Sequence, residues 1–126
     1  VSKKETLCIT GDLSFLYDSN ALWSNYIPSN FKIIVINNGG GGIFRILPGE
    51  KNTNNFDTFF ETKHQVTAVH LCKMYGLEYT MIHCESELNK NLKSFFSPSN
   101  TPKLLEIFTP SEINDQVLLE YFNFLK

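Results

Sequence analysis

The sequence predicts an α/β fold, a three-layer α/β/α arrangement around a parallel sheet of about four strands. Short apolar runs rich in β-branched residues, clearest at Ile33-Ile34-Val35-Ile36, alternate with longer helix-like stretches. Such alternation implies right-handed βαβ crossovers and parallel strands. Two of the runs end in polar, glycine-bearing corners, Gly11-Asp12 and Asn37-Asn38-Gly39-Gly40-Gly41-Gly42. Open parallel sheets gather their ligands beyond strand ends of this kind.

The elements follow in order. Glu5 to Thr10 reads as a short, buried parallel strand, and Gly11 to Tyr17 as a turn. Asp18 is placed to cap a helix from about Ser19 to Tyr26, because its carboxylate can accept from the first free N–H groups. Ile27-Pro28-Ser29-Asn30 ends that helix. Phe31 to Ile36 is nearly all apolar, as a strand covered on both faces should be. A buried helix segment would look similar, but the β-branched content and the following glycines favour a strand. Gly49 to Asp57 is polar and aperiodic and reads as a mobile loop. Gln65 to Tyr75 is a helix closed by Gly76. Leu77 to Ile82 is the third strand, Ser86 to Phe96 a helix, and Lys103 to Phe108 the fourth strand. Ser111 is placed to cap a last helix from Glu112 to about Leu125, with Ile113, Val117, Leu118 and Tyr121 or Phe122 on its inner face.

Composition bounds the rest. The 126 residues read as one domain, 1–126, long enough for a real core. A net charge of −2 with no basic face evident argues against nucleic acid as a partner. No apolar run approaches the roughly 18 residues of a membrane span, and no signal peptide opens the chain. The three cysteines, Cys8, Cys72 and Cys84, are odd in number and far apart, which argues against a disulfide framework and for a reducing cytoplasm. The chain opens at Val1 just before a strand, which reads as a cut rather than a natural start.

The two corners carry the chemistry. Asp12 and Asn38 would point into one crevice. Asp supplies a carboxylate oxygen, Asn an amide oxygen, and the glycines free backbone groups. Hard oxygen ligands that leave positions open for phosphates suit Mg²⁺. The N–H groups of Leu13, Ser14 and Phe15 could meet a diphosphate, since a turn entering a helix offers unpaired donors. The glycine run is not a Walker A loop, because no Gly-Lys-Ser/Thr follows it, and it gives no dinucleotide fingerprint.

Gly-Asp at one strand end, with Asn-Asn-Gly after the next and Asn38 26 positions beyond Asp12, resembles the diphosphate-binding motif of thiamine diphosphate enzymes. Gly11-Asp12-Leu13-Ser14, Tyr17-Asp18, Asn20-Ala21-Leu22 and Asn37-Asn38-Gly39-Gly40-Gly41-Gly42-Ile43-Phe44 are similar to the menaquinone-pathway synthases. These make 2-succinyl-5-enolpyruvyl-6-hydroxy-3-cyclohexene-1-carboxylate. Further matches are Ile46-Leu47-Pro48, Phe60-Glu61-Thr62, and His70 before Met74-Tyr75-Gly76-Leu77-Glu78-Tyr79. The resemblance covers nearly the whole chain but only the C-terminal part of such an enzyme. The wider family has a glycine where this chain has Leu13, a change that backbone N–H contacts tolerate.

The resemblance implies a strand order of one, two, four, three. It implies Mg²⁺ held by the Asp12 carboxylate, the Asn38 side chain and the Gly40 carbonyl. Thiamine diphosphate would lie on Gly11, Asp12, Leu13, Ser14, Asn38 and Gly40, with Ile43 and Phe44 beside the thiazolium ring. Ile43, Phe44 and, less directly, Leu47 would lie near substrate; unaided, this cluster reads as core. Asn37 reads as a cap on the strand end. Arg45 is either an anion contact or a surface residue, with the surface favoured. His64, His70, His83 and the cysteines lack zinc spacing and read as structural, with His70 a hydrogen-bonded packing residue. Trp23 reads as core or as a subunit contact.

The implied reaction decarboxylates 2-oxoglutarate and adds the succinyl-semialdehyde unit to isochorismate. The pyrimidine and central domains would be absent, so no catalytic residue is expected in this piece, which alone should be inactive. Its partners would be the remainder of the parent chain and, in the intact enzyme, further copies in a homodimer or homotetramer. Two other readings stand beside this one: a thiamine diphosphate enzyme of the acetolactate synthase type, which the Gly-Asp-Leu-Ser form argues against, and a non-enzymatic α/β interaction module, which would need neither Asp12 nor Asn38.

Overall fold

The computed structural model describes residues 4–49, 53 and 55–126. They fall into two compact units, one of residues 1–37 and 67–108, the other of residues 38–66 and 109–126.

The first unit holds the sheet. Its strands are β1 (Thr6–Gly11), β2 (Phe31–Asn37), β3 (Glu78–Ile82) and β4 (Lys103–Phe108). All neighbours pair in parallel, in the order β1-β2-β4-β3, as the sequence resemblance implies. Alternate residues of β2 feed opposite faces, because strand side chains have a period of two. Ile33 and Val35 join Phe15, Leu22, Ala68, Cys72, Leu77 and Leu104 in one core layer. Ile34 joins Ile82, Phe95 and Leu105 in the other, with Ile36, Leu88 and Leu92 packed against it. The helices α1 (Asp12–Asp18) and α2 (Val69–Tyr75) serve the first layer, and α3 (Glu85–Phe96) the second. This is the three-layer α/β/α architecture.

Several local readings are corrected. β1 is an exposed edge strand rather than a buried one, with Leu7 at 43% and Ile9 at 65% exposure. Its apolar content signals a strand but not a second neighbour. The expected turn after it is helix α1, which starts directly at Asp12. Asp18 makes no side-chain cap; a 3-10 turn, Ser19–Trp23, continues from it instead of an α-helix. Trp23 is exposed rather than core. Helix α2 begins at Val69, four residues later than its apolar pattern suggests, because residues 63–66 run without helical hydrogen bonding. Gly76 closes it in the left-handed conformation, with φ 74° and its N–H donating to the Cys72 carbonyl. His70 is exposed on this helix rather than packed.

The second unit holds a 3-10 turn (Gly42–Arg45), a π-helical turn (Phe56–Phe60) and α4 (Asn114–Phe124). Of the loop expected over Gly49–Asp57, residues 50–52 and 54 lie outside the described residues. Phe56 is buried, so the apolar end of that loop is anchored. Helix α4 has no side-chain cap from Ser111. Its expected inner face is exposed: Val117 stands at 57% and Tyr121 at 54%, and within its unit the helix contacts the Gly42–Arg45 turn. Amphipathic spacing marks a face that can be buried, not whether this chain buries it. All three cysteines are free. Among the described residues, no helix is long and apolar enough to cross a membrane.

Candidate functional site

The strand register sets the first half of the site. Gly11 pairs with Ile36, so Asp12 and Asn37 leave adjacent parallel strands at the same carboxyl-end rim. Asp12 is 4% exposed, and its Oδ1 accepts from the Leu13 N–H at 2.8 Å. The carboxylate is thereby held at the very start of α1. The Leu13 amide is engaged by this bond, which removes it from the donors that the sequence leaves open. Ser14 is exposed one residue further along the first turn. A Cβ built on Gly11 would meet nothing within 4 Å, so the backbone here stands clear of its own unit.

Asn37 is not a simple strand-end cap. It is buried and its Nδ2 donates to Glu106 Oε1 at 2.7 Å. Glu106 is 1% exposed in the middle of β4, where the pattern calls for an apolar residue. Its carboxylate also accepts from the Ala68 N–H at 3.0 Å and from the Tyr79 hydroxyl at 2.6 Å. Three donors offset the cost of burying the charge. Desolvation, then the bond to Glu106, pushes the Tyr79 hydroxyl well above its ordinary range. Burial pushes the neighbouring Cys72 thiol up to about 12, with the Glu106 charge adding to it. Sequence reading missed Glu106; the available signal was a lone acid within Lys103-Leu104-Leu105-Glu106-Ile107-Phe108. His83 stacks on Phe108 at 4.6 Å, a structural contact as expected.

The second half lies in the other unit and begins with Asn38, the residue after Asn37. The glycine run is folded against residues 61–64. Gly41 N–H donates to the Glu61 carbonyl at 2.6 Å, and His64 N–H to the Gly39 carbonyl at 3.0 Å. Gly39 has φ +75°, and a Cβ on Gly40 would sit 2.6 Å from the Glu61 carbonyl oxygen. Only glycine lets the two backbones approach this closely. A Cβ on Gly42 would sit 2.8 Å from Asn38 Nδ2, so the Asn38 side chain rests directly over Gly42. The Gly40 carbonyl accepts from Gly42 N–H at 3.1 Å.

Arg45 is partly buried rather than a plain surface residue. It pairs with the buried Glu61 through Nε to Oε1 and through its terminal nitrogen to Oε2 at 3.0 Å. That bond, foremost, raises its affinity for its proton, aided by the nearby charges of Asp115 and Glu112. Next to Glu61, Thr62 has φ +51°, an uncommon conformation for a β-branched residue. Strain of this kind gathers where a fold holds a loop for function. Ile43, Phe44 and Leu47 are 56%, 37% and 47% exposed, and so are not core. Phe44 and Leu47 line an apolar cavity of about 490 Å³ with Pro48, Phe56 and Phe60; Ile43 does not. Phe44 meets Phe60 edge-on at 5.6 Å.

The candidate ligands are all oxygen: one carboxylate, one amide and one backbone carbonyl. Among the described residues no three His, Cys, Asp or Glu side chains gather as a metal site. An oxygen set with a single charge fits a hard cation shared with a phosphate-bearing ligand.

Comparison with known proteins agrees. Residues 1–107 match the family described as thiamine pyrophosphate enzyme, C-terminal TPP binding domain. The chain is 61% identical over 99% of its length to the 2-succinyl-5-enolpyruvyl-6-hydroxy-3-cyclohexene-1-carboxylate synthase of Christiangramia forsetii. It is 59% identical over 96% of its length to the enzyme of that name from Flavobacterium psychrophilum, and 44% identical over 95% to that of Porphyromonas gingivalis. It spans 22%, 22% and 21% of those three proteins. The oxygen-lined strand ends, the glycine cradle and these matches lead to one conclusion: the chain belongs to the thiamine pyrophosphate enzymes, within their C-terminal TPP-binding domain.

Proposed function

We propose that this chain is the cofactor-anchoring part of a synthase that uses Mg²⁺ and thiamine diphosphate to decarboxylate 2-oxoglutarate and to add the succinyl-semialdehyde unit to isochorismate. The pathway would be menaquinone biosynthesis, in the cytoplasm. The observation that carries this reading is the β1–β2 register, which brings Asp12 and Asn37 to one carboxyl-end rim, with Asn38 next in the chain. The relatives' name gives the product of such a synthase, and the substrates are those that the family resemblance implies.

Within this reading the Asp12 carboxylate, the Asn38 amide oxygen and the Gly40 carbonyl hold the metal. Backbone groups of Gly11, Leu13 and Ser14 lie along the diphosphate, with the engaged Leu13 N–H contributing least. Ile43 and Phe44 form an apolar wall for the thiazolium, and Leu47 lies on the substrate side. When bound, the cofactor supplies the electron sink for decarboxylation. The described residues of this chain bind, orient and exclude water. Moving the proton falls to a pyrimidine-binding domain elsewhere in the parent protein, on a second subunit of a homodimer or homotetramer.

The test is calorimetric titration of the full-length protein with thiamine diphosphate, with Mg²⁺ and with EDTA, followed by a CO₂-release assay on 2-oxoglutarate with isochorismate. Metal-dependent binding and isochorismate-dependent product support the reading. Binding that ignores Mg²⁺, or no turnover of 2-oxoglutarate, would overturn it.

A further inference from the structure

Glu106 is a carboxylate buried in the sheet. It is 1% exposed, and its position on β4 faces the same core layer as Leu104. An apolar side chain of similar volume there would commonly be neutral or stabilising, because burying a charge costs several kcal/mol before its partners offset it. A carboxylate at this position therefore invites the question of what use it has beyond packing.

Its partners indicate that use. Ala68 and Tyr79 tie it to the start of α2 and to β3. The remaining bond, from Asn37 Nδ2 at 2.7 Å, reaches the last residue of β2. A carboxylate only accepts, so the Asn37 amide must present its NH₂ to Glu106 and turn its oxygen the other way. Charge-assisted bonds are about twice as strong as neutral ones, so this orientation is firmly held. Asn37 shares a peptide bond with Asn38, and the Asn37 side chain is therefore the anchor point from which the Asn38 corner departs.

We propose that Glu106 is a positioning residue for cofactor binding: through Asn37 it holds the strand end that presents Asn38. This rests on the functional reading above, in which Asn38 is a metal ligand. Glutamine at 106 would keep the volume but put an NH₂ group among three donors, leaving too few acceptors to hold Asn37 as before.

The experiment measures the dissociation constant of Mg²⁺–thiamine diphosphate by calorimetry, and the apo melting temperature, in the full-length protein. Outer partners of metal ligands commonly affect affinity by about 10–100-fold. Glu106→Gln and Asn37→Ala should each weaken binding by roughly that factor, and the double variant by no more than about twofold beyond either. Tyr79→Phe removes a different bond to the same carboxylate; it should lower the melting temperature yet leave the dissociation constant within about twofold. A merely structural role predicts the opposite, with affinity following melting temperature across all three. Wild-type affinity in Glu106→Gln, or independent multiplying losses in the double variant, would overturn the proposal. Should Glu106→Gln not fold, Asn37→Ala against Tyr79→Phe decides in the same way. Absence of metal-dependent binding in the wild type would instead overturn the functional reading, and this inference with it.

Discussion

Asp12 and Asn38 differ in charge, and that difference sets the expected order of their variants. Asp12→Ala removes the only charged side chain proposed to hold the metal and leaves the diphosphate facing its own repulsion. It should abolish measurable Mg²⁺-dependent binding of thiamine diphosphate in the full-length protein. Asn38→Ala removes a neutral ligand that water can partly replace, so a weaker, measurable affinity should remain; titration calorimetry separates the two. The glycines give a second pair. Alanine at 42 meets only the tip of the Asn38 side chain, at 2.8 Å, which can swing away. Gly42→Ala should therefore leave the melting temperature nearly unchanged and weaken the cofactor. Alanine at 40 meets the Glu61 backbone at 2.6 Å, which cannot swing. Gly40→Ala should lower the melting temperature as well, a contrast that thermal denaturation without cofactor reveals. Both corners are legible in the sequence because oxygen ligands and glycines are rare at two strand ends together. The Arg45–Glu61 pair was not, since its partners are 16 residues apart with no periodicity joining them.

The elements show what local pattern can and cannot set. β2 is recognised by its apolar β-branched run, and Gly76 by its position after a helix. At Gly76 the structure permits a clean measurement: φ is +74° and a Cβ would meet nothing within 4 Å. Gly76→Ala should cost about 1 kcal/mol, all of it backbone conformation, as read from urea denaturation midpoints. A much larger loss would mean that packing, not conformation, holds the α2 end. α1 was read as a turn because Gly11-Asp12-Leu13-Ser14 carries turn-like residues, yet the helix begins there with Asp12 bonded to the Leu13 amide. α4 was read as packed because its apolar spacing is helical, yet its apolar residues stand exposed. Spacing reports which face could be covered; coverage depends on what lies opposite.

For the molecule as a whole, pH and activity give two further expectations. Cys72 binds its proton more tightly folded than unfolded, with its pKa raised from 9.0 to about 12. Between those values the unfolded chain loses the proton first, so stability is intact below pH 9 and falls as pH rises toward 12. Cys72→Ala should flatten that alkaline loss in melting temperature, apart from a pH-independent cost for the small cavity. The isolated 126-residue chain should release no CO₂ from 2-oxoglutarate at saturating Mg²⁺ and thiamine diphosphate. Under the proposed function the acid that starts proton transfer and the domain that faces this one to exclude water lie elsewhere in the parent protein. The assay is CO₂ release by the chain alone and by the full-length protein; turnover by the chain alone would refute the assignment of a purely anchoring part.

By itself the sequence determined the fold class, the parallel sheet and the family resemblance, because these rest on local periodicity and on short motifs whose residues are neighbours in the chain. The strand order came from that resemblance, and the β1–β2–β4–β3 pairing agrees with it. What only the tertiary structure decided is how those motifs are held. Glu106 lies 69 residues from the Asn37 it bonds, and Ala68 and Tyr79 complete the same carboxylate from two further elements. A buried charge looks like an error in a strand until the fold brings its donors to it, and no window of sequence contains all four groups at once.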